Sequence, residues 1–515
     1  MRIMHKMPFY QRKLYLMTYV LLALVNQTTQ YNKLMLILLD GVRWDYLQIS
    51  DLYGFAEIRS RGVKANYMSP QFPSSSYPNY YSIMTGLHVE SHGMVGNSIY
   101  DPKHGTTFRG AKDDEQLNPY WWNGGEPFWV TATKQSRVCA MYYWGGCQVE
   151  IRGFRPQYCR RLQSEPDISE FHRSIDHAVY QLHTDRVDFT AIYVELPDTQ
   201  GHKFGPLSKE LNDSMRTVDK EIQYLLRSLD ETGLNKSTNV IIVSDHGMAD
   251  IGGDNSKDIK MTDFVPDIES LMERFIDHSY GVLIWPKPGV TEQIYNGFKG
   301  KHKHMHIFHK NEIPEIWHFQ NNDRIPPLLL VTEPGWTIVK GFGENPGIRK
   351  YEDVGRPHGT HGYDPTDKSM YAIFLAFGPD IKHGTEVGNF PNTDVYNLLC
   401  KLLKIIPSPN NGTWSNVAGI LVNDTPKGWV YEQPRLEPSF SDWVIQPPLI
   451  EQNVTSTILM IMSIIVGIAL TLTTAVFCVG PRKVCWCLRK HTESKMRYSE
   501  VLKSVHSSDS EDSLS

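Results

Sequence analysis

KLMLILLDG (residues 33–41) is an apolar run, unbroken from Leu34 to Leu39, that ends on an acid and a glycine. A run with no polar position cannot leave one face in water, so it predicts a strand covered on both faces, as in a parallel sheet. FTAIYVELPD (189–198) and NVIIVSDHG (239–247) repeat the pattern, each again reaching an acidic residue where the apolar run stops. Between them, SKELNDSMRTVDKEIQYLLRSLDETG (208–233) has apolar residues at helical spacing and closes on Gly233. Strands alternating with helices predict an α/β sandwich with a mostly parallel central sheet. Such folds bind ligands at the carboxyl ends of their strands. Asp40, Asp198 and Asp245 lie at those ends.

The wider composition narrows the function. The chain has 515 residues, a net charge of −5 and 41% hydrophobic residues. This is ordinary globular composition without the basic footprint that nucleic acid requires, so no nucleic-acid partner is expected. No internal repeat interrupts residues 30–430, which read as one catalytic domain.

Both ends carry membrane signals. Arg2, Lys6, Arg12 and Lys13 precede the apolar stretch Leu14 to Val25, the layout of a cleaved secretory signal over residues 1–29. Residues 458–479 contain no charge and are long enough for one transmembrane helix. Arg482, Lys483, Arg489 and Lys490 follow and mark a cytoplasmic tail, 480–515. The proline-rich stretch 431–457 reads as a stalk. A type I plasma-membrane protein with an extracellular catalytic domain is therefore expected. The rival, a glycolipid-anchor signal, would end in its apolar stretch, whereas the chain continues from Val479 to Ser515. Sequons at Asn212, Asn235, Asn411, Asn423 and Asn453 suit an exported domain. Cys147 and Cys159 bracket a short loop and are expected to form a disulfide in an oxidising compartment. Cys139 and Cys400 are left either paired or as buried thiols.

The acidic strand ends come with histidines. Asp198 and His202, in DTQGH, are four apart across a glycine and are placed to reach one ion; Asp245 and His246 need a sharp turn, which Gly247 permits, to share another. Oxygen and imidazole ligands in this mixture suit zinc, and a pair of zinc ions suits in-line displacement at phosphorus. In QFPSSSYPNYYSIMTG, Pro78 belongs in a first helical turn, so Ser76 falls at a helix start, where backbone N–H groups and dipole favour an anion. Ser76 is the candidate nucleophile; alone, it would read as a helix cap.

LLDGVRWDY, SSYPNYYSIMTGLHVESHGMVGNSIYDP, ELPDTQGHKFGP, VSDHGM and HGTHGYDP resemble, in order and spacing, the motifs of ectonucleotide pyrophosphatase/phosphodiesterases of the alkaline phosphatase superfamily. The resemblance covers roughly residues 31 to 425 and implies an alkaline-phosphatase-like sandwich. It implies two zinc ions per chain, one held by Asp198, His202 and His361, the other by Asp40, Ser76, Asp245 and His246. Ser76 is implied as both ligand and nucleophile. Asn97, in GNSIYDP, matches an asparagine that hydrogen-bonds a phosphate oxygen. HGYD selects His361 over its neighbour His358.

Within the family, SYPNYY, YWWNGGEPFWVT, MYYWGGCQVEIRGFRPQYC and PNNGTWS resemble the choline-specific glycerophosphodiesterase branch. That implies hydrolysis of glycerophosphocholine and lysophosphatidylcholine to phosphocholine and an alcohol. Aromatic faces hold a quaternary ammonium, and Tyr77 and Tyr193 are the expected walls of the substrate slot, with Trp121, Trp122, Tyr142, Tyr143 and Trp144 as further candidates and Glu126 and Glu195 as sources of charge. Two readings stand beside it: a nucleotide pyrophosphatase on the same site, with Tyr77 and Tyr193 gripping a base, and a non-enzymatic surface receptor of the same fold. The branch is typically glycolipid-anchored, unlike this chain, and Ala418 and Gly419 stand where it has a cysteine, which leaves a homodimer an open expectation.

Overall fold

The computed structural model describes residues 31–110, 114–161, 168–278, 280–341 and 356–423. The expected signal, stalk, membrane segment and tail, with Asn453, lie outside them. Among the described residues no helix is long and apolar enough to cross a membrane.

The central sheet has eight strands. Six come early: β1 (Lys33–Leu39), β2 (Gly62–Ala65), β3 (Cys139–Tyr142), β4 (Tyr158–Arg160), β5 (Phe189–Val194) and β6 (Thr238–Val243). Two return late, Phe374–Phe377 and Thr385–Val387. Across the sheet the order is Thr385–Val387, β2, Phe374–Phe377, β6, β1, β5, β3, β4. Every neighbouring pair is parallel except the two made by Phe374–Phe377 with β6 and β2. Leu34 to Leu39 of β1 are wholly buried, as the apolar run requires. In the register, Leu38 lies opposite both Tyr193 and Val243. The three strands thus finish level, and the residues after them emerge on one rim.

Helices cover both faces. α1 (Tyr53–Arg61), α2 (Ser76–Thr85), α3 (Phe128–Lys134), α4 (Ile168–His183), α5 (Asp198–Phe204), α6 (Lys209–Thr232) and α7 (Asp394–Leu402) form two groups: α1, α4 and α5 pack on α6, and α2 and α3 on α7. α6 is the helix expected over 208–233. Ser208 Oγ accepts from Leu211 N–H at 3.1 Å, Gly233 ends the helix at φ 74°, and Leu211, Met215, Val218, Ile222, Leu225 and Leu229 form its buried stripe. Asp219 on that helix accepts from the backbone N–H groups of Gly54 and Phe55 at 3.0 and 2.8 Å, capping α1.

A second, antiparallel sheet contains β7 (Met272–His278), β8 (Gly281–Pro286), β9 (Met305–His309) and β10 (Leu328–Thr332), in the order β7, β8, β10, β9. Its residues alternate between two cores. Val282, Ile284, Leu328 and Leu330 enter a smaller cluster, while Leu283, Trp285, Leu329 and Val331 join the main one. The sheet is therefore a wall of the main core as well as the base of its own. Cys147 and Cys159 form the expected disulfide and tie edge strand β4 to the loop after β3; Cys139 and Cys400 are free, buried thiols. Asn411 and Asn423 are exposed, Asn212 and Asn235 half-buried.

Candidate active site

The level strand ends, the start of α2 and the 358–365 turn bring the expected residues together. Asp40 follows β1, Asp198 opens α5 beyond β5, and Asp245 and His246 follow β6. Ser76 is the first residue of α2, after an extended Ser75. Its Oγ lies 3.2 Å from His246 Nε2. The same nitrogen is 3.3 Å from Asp40 Oδ1 and 3.6 Å from Asp245 Oδ2. Beside this group, Asp198 Oδ2 is 3.3 Å from His202 Nε2 and its Oδ1 is 3.7 Å from His361 Nε2. The His246 and His361 rings stack at 3.6 Å.

All three histidines are oriented in the same way. Nδ1 of His202, His246 and His361 bonds the backbone carbonyls of Gly359, Gly247 and Ser74, at 2.9, 2.8 and 3.0 Å. A carbonyl only accepts, so each Nδ1 carries the proton and each Nε2 presents its lone pair to the centre. Facing them, Asp40 Oδ1, Asp198 Oδ1 and Asp245 Oδ2 are buried without a hydrogen-bond partner.

Three buried carboxylates this close repel one another. Burial, then the charges of Asp245 and Asp198, hold the Asp40 carboxyl well above its ordinary range, and burial does the same at Asp245. At Asp198 burial pushes upward, but His202, His361 and His246 outweigh it and hold the group low. Burial and then His246 keep His361 far below the usual histidine range. Unpartnered oxygens and inward lone pairs make a site whose electrostatics call for cations. The donors are the nitrogen and oxygen types that zinc takes, so the residues fit that metal. Two groups are able to hold an ion: Asp198, His202 and His361, and Asp40, Asp198 and His246. Asp198 belongs to both, so the expected division into three and four ligands is less sharp in the structure.

Glycines make the close approaches. Gly41 has φ +70°, and a side chain there would meet Asp198 Oδ1 at 2.8 Å, while its N–H donates to Asp245 Oδ1 at 3.2 Å. Gly247, expected to serve by backbone freedom, serves by having no side chain: a Cβ would lie 2.2 Å from the Ser369 carbonyl.

The expected substrate residues divide. Asn97 Oδ1 accepts from Tyr77 N–H at 2.9 Å, which fixes the amide beside Ser76. The half-buried Tyr77 ring packs against Tyr80 and Phe108. Tyr193, expected as a slot wall, is buried and donates its hydroxyl to Asp40 Oδ2. That role leaves no trace in a strand pattern, which shows only an apolar run. Trp121, Trp122 and Trp144 are core, and Tyr142 and Tyr143 are buried with their hydroxyls on Gln181 and Glu170. Glu126 is paired with Lys134 at 2.6 Å. Of these aromatics Trp122 packs against Tyr77, with ring centroids 6.3 Å apart.

Residues 34–364 match the family model for type I phosphodiesterase / nucleotide pyrophosphatase. Ectonucleotide pyrophosphatase/phosphodiesterase family member 1 of Mus musculus is 33% identical over 400 residues, 75% of this chain and 42% of that protein. The chain thus spans less than half the length of that relative. The bis(5'-adenosyl)-triphosphatase of Mus musculus is 35% identical over 402 residues, 76% of this chain and 82% of that one. Among solved structures, an inactive variant of murine ectonucleotide pyrophosphatase / phosphodiesterase 5, in complex with AMP, superposes with a TM-score of 0.69 at 30% identity, covering 76% of this chain and all of that one. By its sequence, its sheet and the residues at the sheet's rim, the chain belongs to the type I phosphodiesterase / nucleotide pyrophosphatase family.

Proposed function

We propose that the chain is a zinc-dependent hydrolase of nucleotide phosphodiesters and pyrophosphates, with Ser76 as nucleophile. The observation that carries this reading is the placing of Ser76 Oγ 3.2 Å from His246 Nε2, at the start of α2 and beside three carboxylates with unpaired oxygens. The nucleotide reading takes precedence over the expected choline specificity for two reasons. The relatives include a bis(5'-adenosyl)-triphosphatase and a protein solved with AMP, and most of the aromatic stretch that suggested choline is core. Two zinc ions would be held by Asp40, Asp245, His246 and Ser76 on one side and by Asp198, His202 and His361 on the other, with Asp198 near both. Bound zinc supplies electrostatic stabilisation of charge at phosphorus and lowers the pKa of the Ser76 hydroxyl.

The chain's own groups then define the steps. Ser76 Oγ forms a bond to phosphorus as the bond from phosphorus to the departing oxygen breaks; the hydroxyl proton of Ser76 passes to solvent, and the departing oxygen takes up a proton from solvent. Asn97, its carbonyl engaged by Tyr77 N–H, directs its amide hydrogens at a phosphate oxygen. Water then attacks the phosphoserine ester and restores the Ser76 hydroxyl. Tyr77 contributes a ring face against the base. The Cys147–Cys159 disulfide supports an exported, oxidising setting, in keeping with a cell-surface enzyme.

The test uses the full chain with zinc, offered p-nitrophenyl thymidine monophosphate and p-nitrophenyl phosphocholine. The nucleotide ester should be preferred, and Ser76→Ala should lose turnover while the protein still binds zinc. Preference for the choline ester would overturn the substrate class. Turnover of neither by the zinc-loaded protein would overturn the enzyme reading itself.

A further inference from the structure

The second sheet reaches the active site through the end of β7 and the start of β8. Tyr280 is buried; its hydroxyl meets the Ser75 side chain, and its ring lies where a side chain on Gly362 would stand, 2.0 Å from that missing Cβ. It is thus wedged between the turn that carries Ser76 and the turn that carries His361. His278 stacks on Tyr280, with ring centroids 5.2 Å apart and planes within 6°. On its other side, a Cβ at Gly96 would sit 3.5 Å from His278 Nε2. Gly96 leads directly into Asn97, and Asn97 is bonded to Tyr77 N–H.

These contacts close a ring: Ser75 and Ser76, Tyr77, Asn97, Gly96, His278, Tyr280 and back to Ser75. A histidine from the second sheet is therefore built into the rim beside the nucleophile and the phosphate-binding amide. Its side chain is half-buried, and Nε2 is enclosed without a hydrogen-bond partner. Enclosed polar atoms of that kind are costly and uncommon unless a ligand or water completes them. Asp277, the adjacent acid, is engaged with Lys340 at 3.7 Å. Burial alone lowers the His278 pKa to about 4, so the ring is neutral at physiological pH. A neutral imidazole offers one donor and one acceptor, which suits an uncharged hydroxyl and not a second phosphate.

We propose that His278 is a specificity-determining residue that hydrogen-bonds a hydroxyl of the sugar substituent next to the scissile phosphate. The assignment rests on the hydrolase reading above. It predicts that removing the imidazole affects substrates with a sugar and spares those without one.

The experiment compares p-nitrophenyl thymidine monophosphate with bis(p-nitrophenyl) phosphate, which lacks the sugar, using wild type, His278→Leu and His278→Gln, each with zinc content measured. His278→Leu should raise KM for the nucleotide ester by about tenfold with kcat changed much less, the size expected for one lost hydrogen bond to a substrate group. Turnover of bis(p-nitrophenyl) phosphate should stay within about twofold, and His278→Gln should recover most of the nucleotide KM. Equal losses on both esters, or no change on either, would overturn the assignment while leaving the hydrolase reading intact. If His278→Leu proves unfolded, the glutamine variant decides: a KM more than tenfold above wild type for the nucleotide ester overturns it, and a KM near wild type with bis(p-nitrophenyl) phosphate unchanged supports it. Wild type inactive on both esters with zinc bound would overturn the hydrolase reading, and the assignment with it.

Discussion

Tyr193→Phe removes one hydroxyl and keeps the ring. That hydroxyl donates to Asp40 Oδ2, while Asp40 Oδ1, 3.3 Å from His246 Nε2, has no protein partner. The pair divides the carboxylate: one oxygen is held by the protein and the other is presented to a metal. Without the donor, Oδ2 is a buried, unpaired oxygen and the carboxylate turns freely about its last bond. A hydrogen bond to an ionised group contributes about 1.5–3 kcal/mol. At 1.4 kcal/mol per factor of ten, that corresponds to roughly a tenfold to hundredfold weakening of the ion held by Asp40, Asp245 and His246, which is also the usual effect of losing a hydrogen bond behind a metal ligand. The assay is zinc content after equilibration across a series of buffered free-zinc concentrations. One equivalent should be lost at the higher free zinc, while the ion at Asp198, His202 and His361 titrates as in wild type. Unchanged or tighter binding of every equivalent would refute the reasoning, because Tyr193 would then orient nothing.

Gly41→Ala places a methyl 2.8 Å from Asp198 Oδ1 at a backbone φ of +70°; displacing that ligand should lower kcat/KM roughly hundredfold, measured on the nucleotide ester, with zinc retention reduced. Asp219→Ala removes the acceptor for the Gly54 and Phe55 N–H groups and should destabilise the fold by roughly 2–3 kcal/mol, read from the urea midpoint. Asp394 is a pH probe: burial, partly offset by Thr413 N–H and Asn416, raises its carboxyl to about 6 from an ordinary 3.8. A raised carboxyl stabilises the fold below about pH 4 and loses that contribution as pH climbs through about 6. Asp394→Asn should therefore gain stability relative to wild type by roughly 3 kcal/mol between pH 4 and pH 8, measured by thermal or urea unfolding at each pH; a pH-independent difference would exclude Asp394 as the titrating group.

The rim was legible because chemistry and periodicity coincide there. An apolar strand can end on Asp40 or Asp245 only where something polar waits, and the register of Leu38 with Tyr193 and Val243 shows why those ends meet. Ser76 as the first residue of α2 follows from Pro78 two residues on. What sequence could not convey was which aromatic faces a ligand. Trp121 and Trp122, further candidates for touching a ligand, are packing, and Tyr193, expected as a wall of the slot, is instead the buried donor to Asp40. Both differences arise from contacts beyond the reach of local periodicity: Trp122 packs on Tyr81 and Phe108, and Tyr193 meets Asp40 153 residues away. Gly247 is a smaller instance: its need comes from the Ser369 carbonyl and not from its own dihedral angles. The second sheet, with His278 and Tyr280 at the site, left no motif at all.

The hydrogen bond from His361 Nδ1 to the Ser74 carbonyl joins residues 287 apart in the chain. Contacts of such separation form late in folding, since the loop between them must close first. The turn carrying Ser76 and the histidine farthest from it in the chain, His361, therefore reach their places only when nearly the whole domain has been made and assembled. A nascent chain, a stalled intermediate or a fragment cut anywhere between them carries no working centre. Whatever chemistry the assembled rim supports is therefore all-or-none, and it arises with the finished fold.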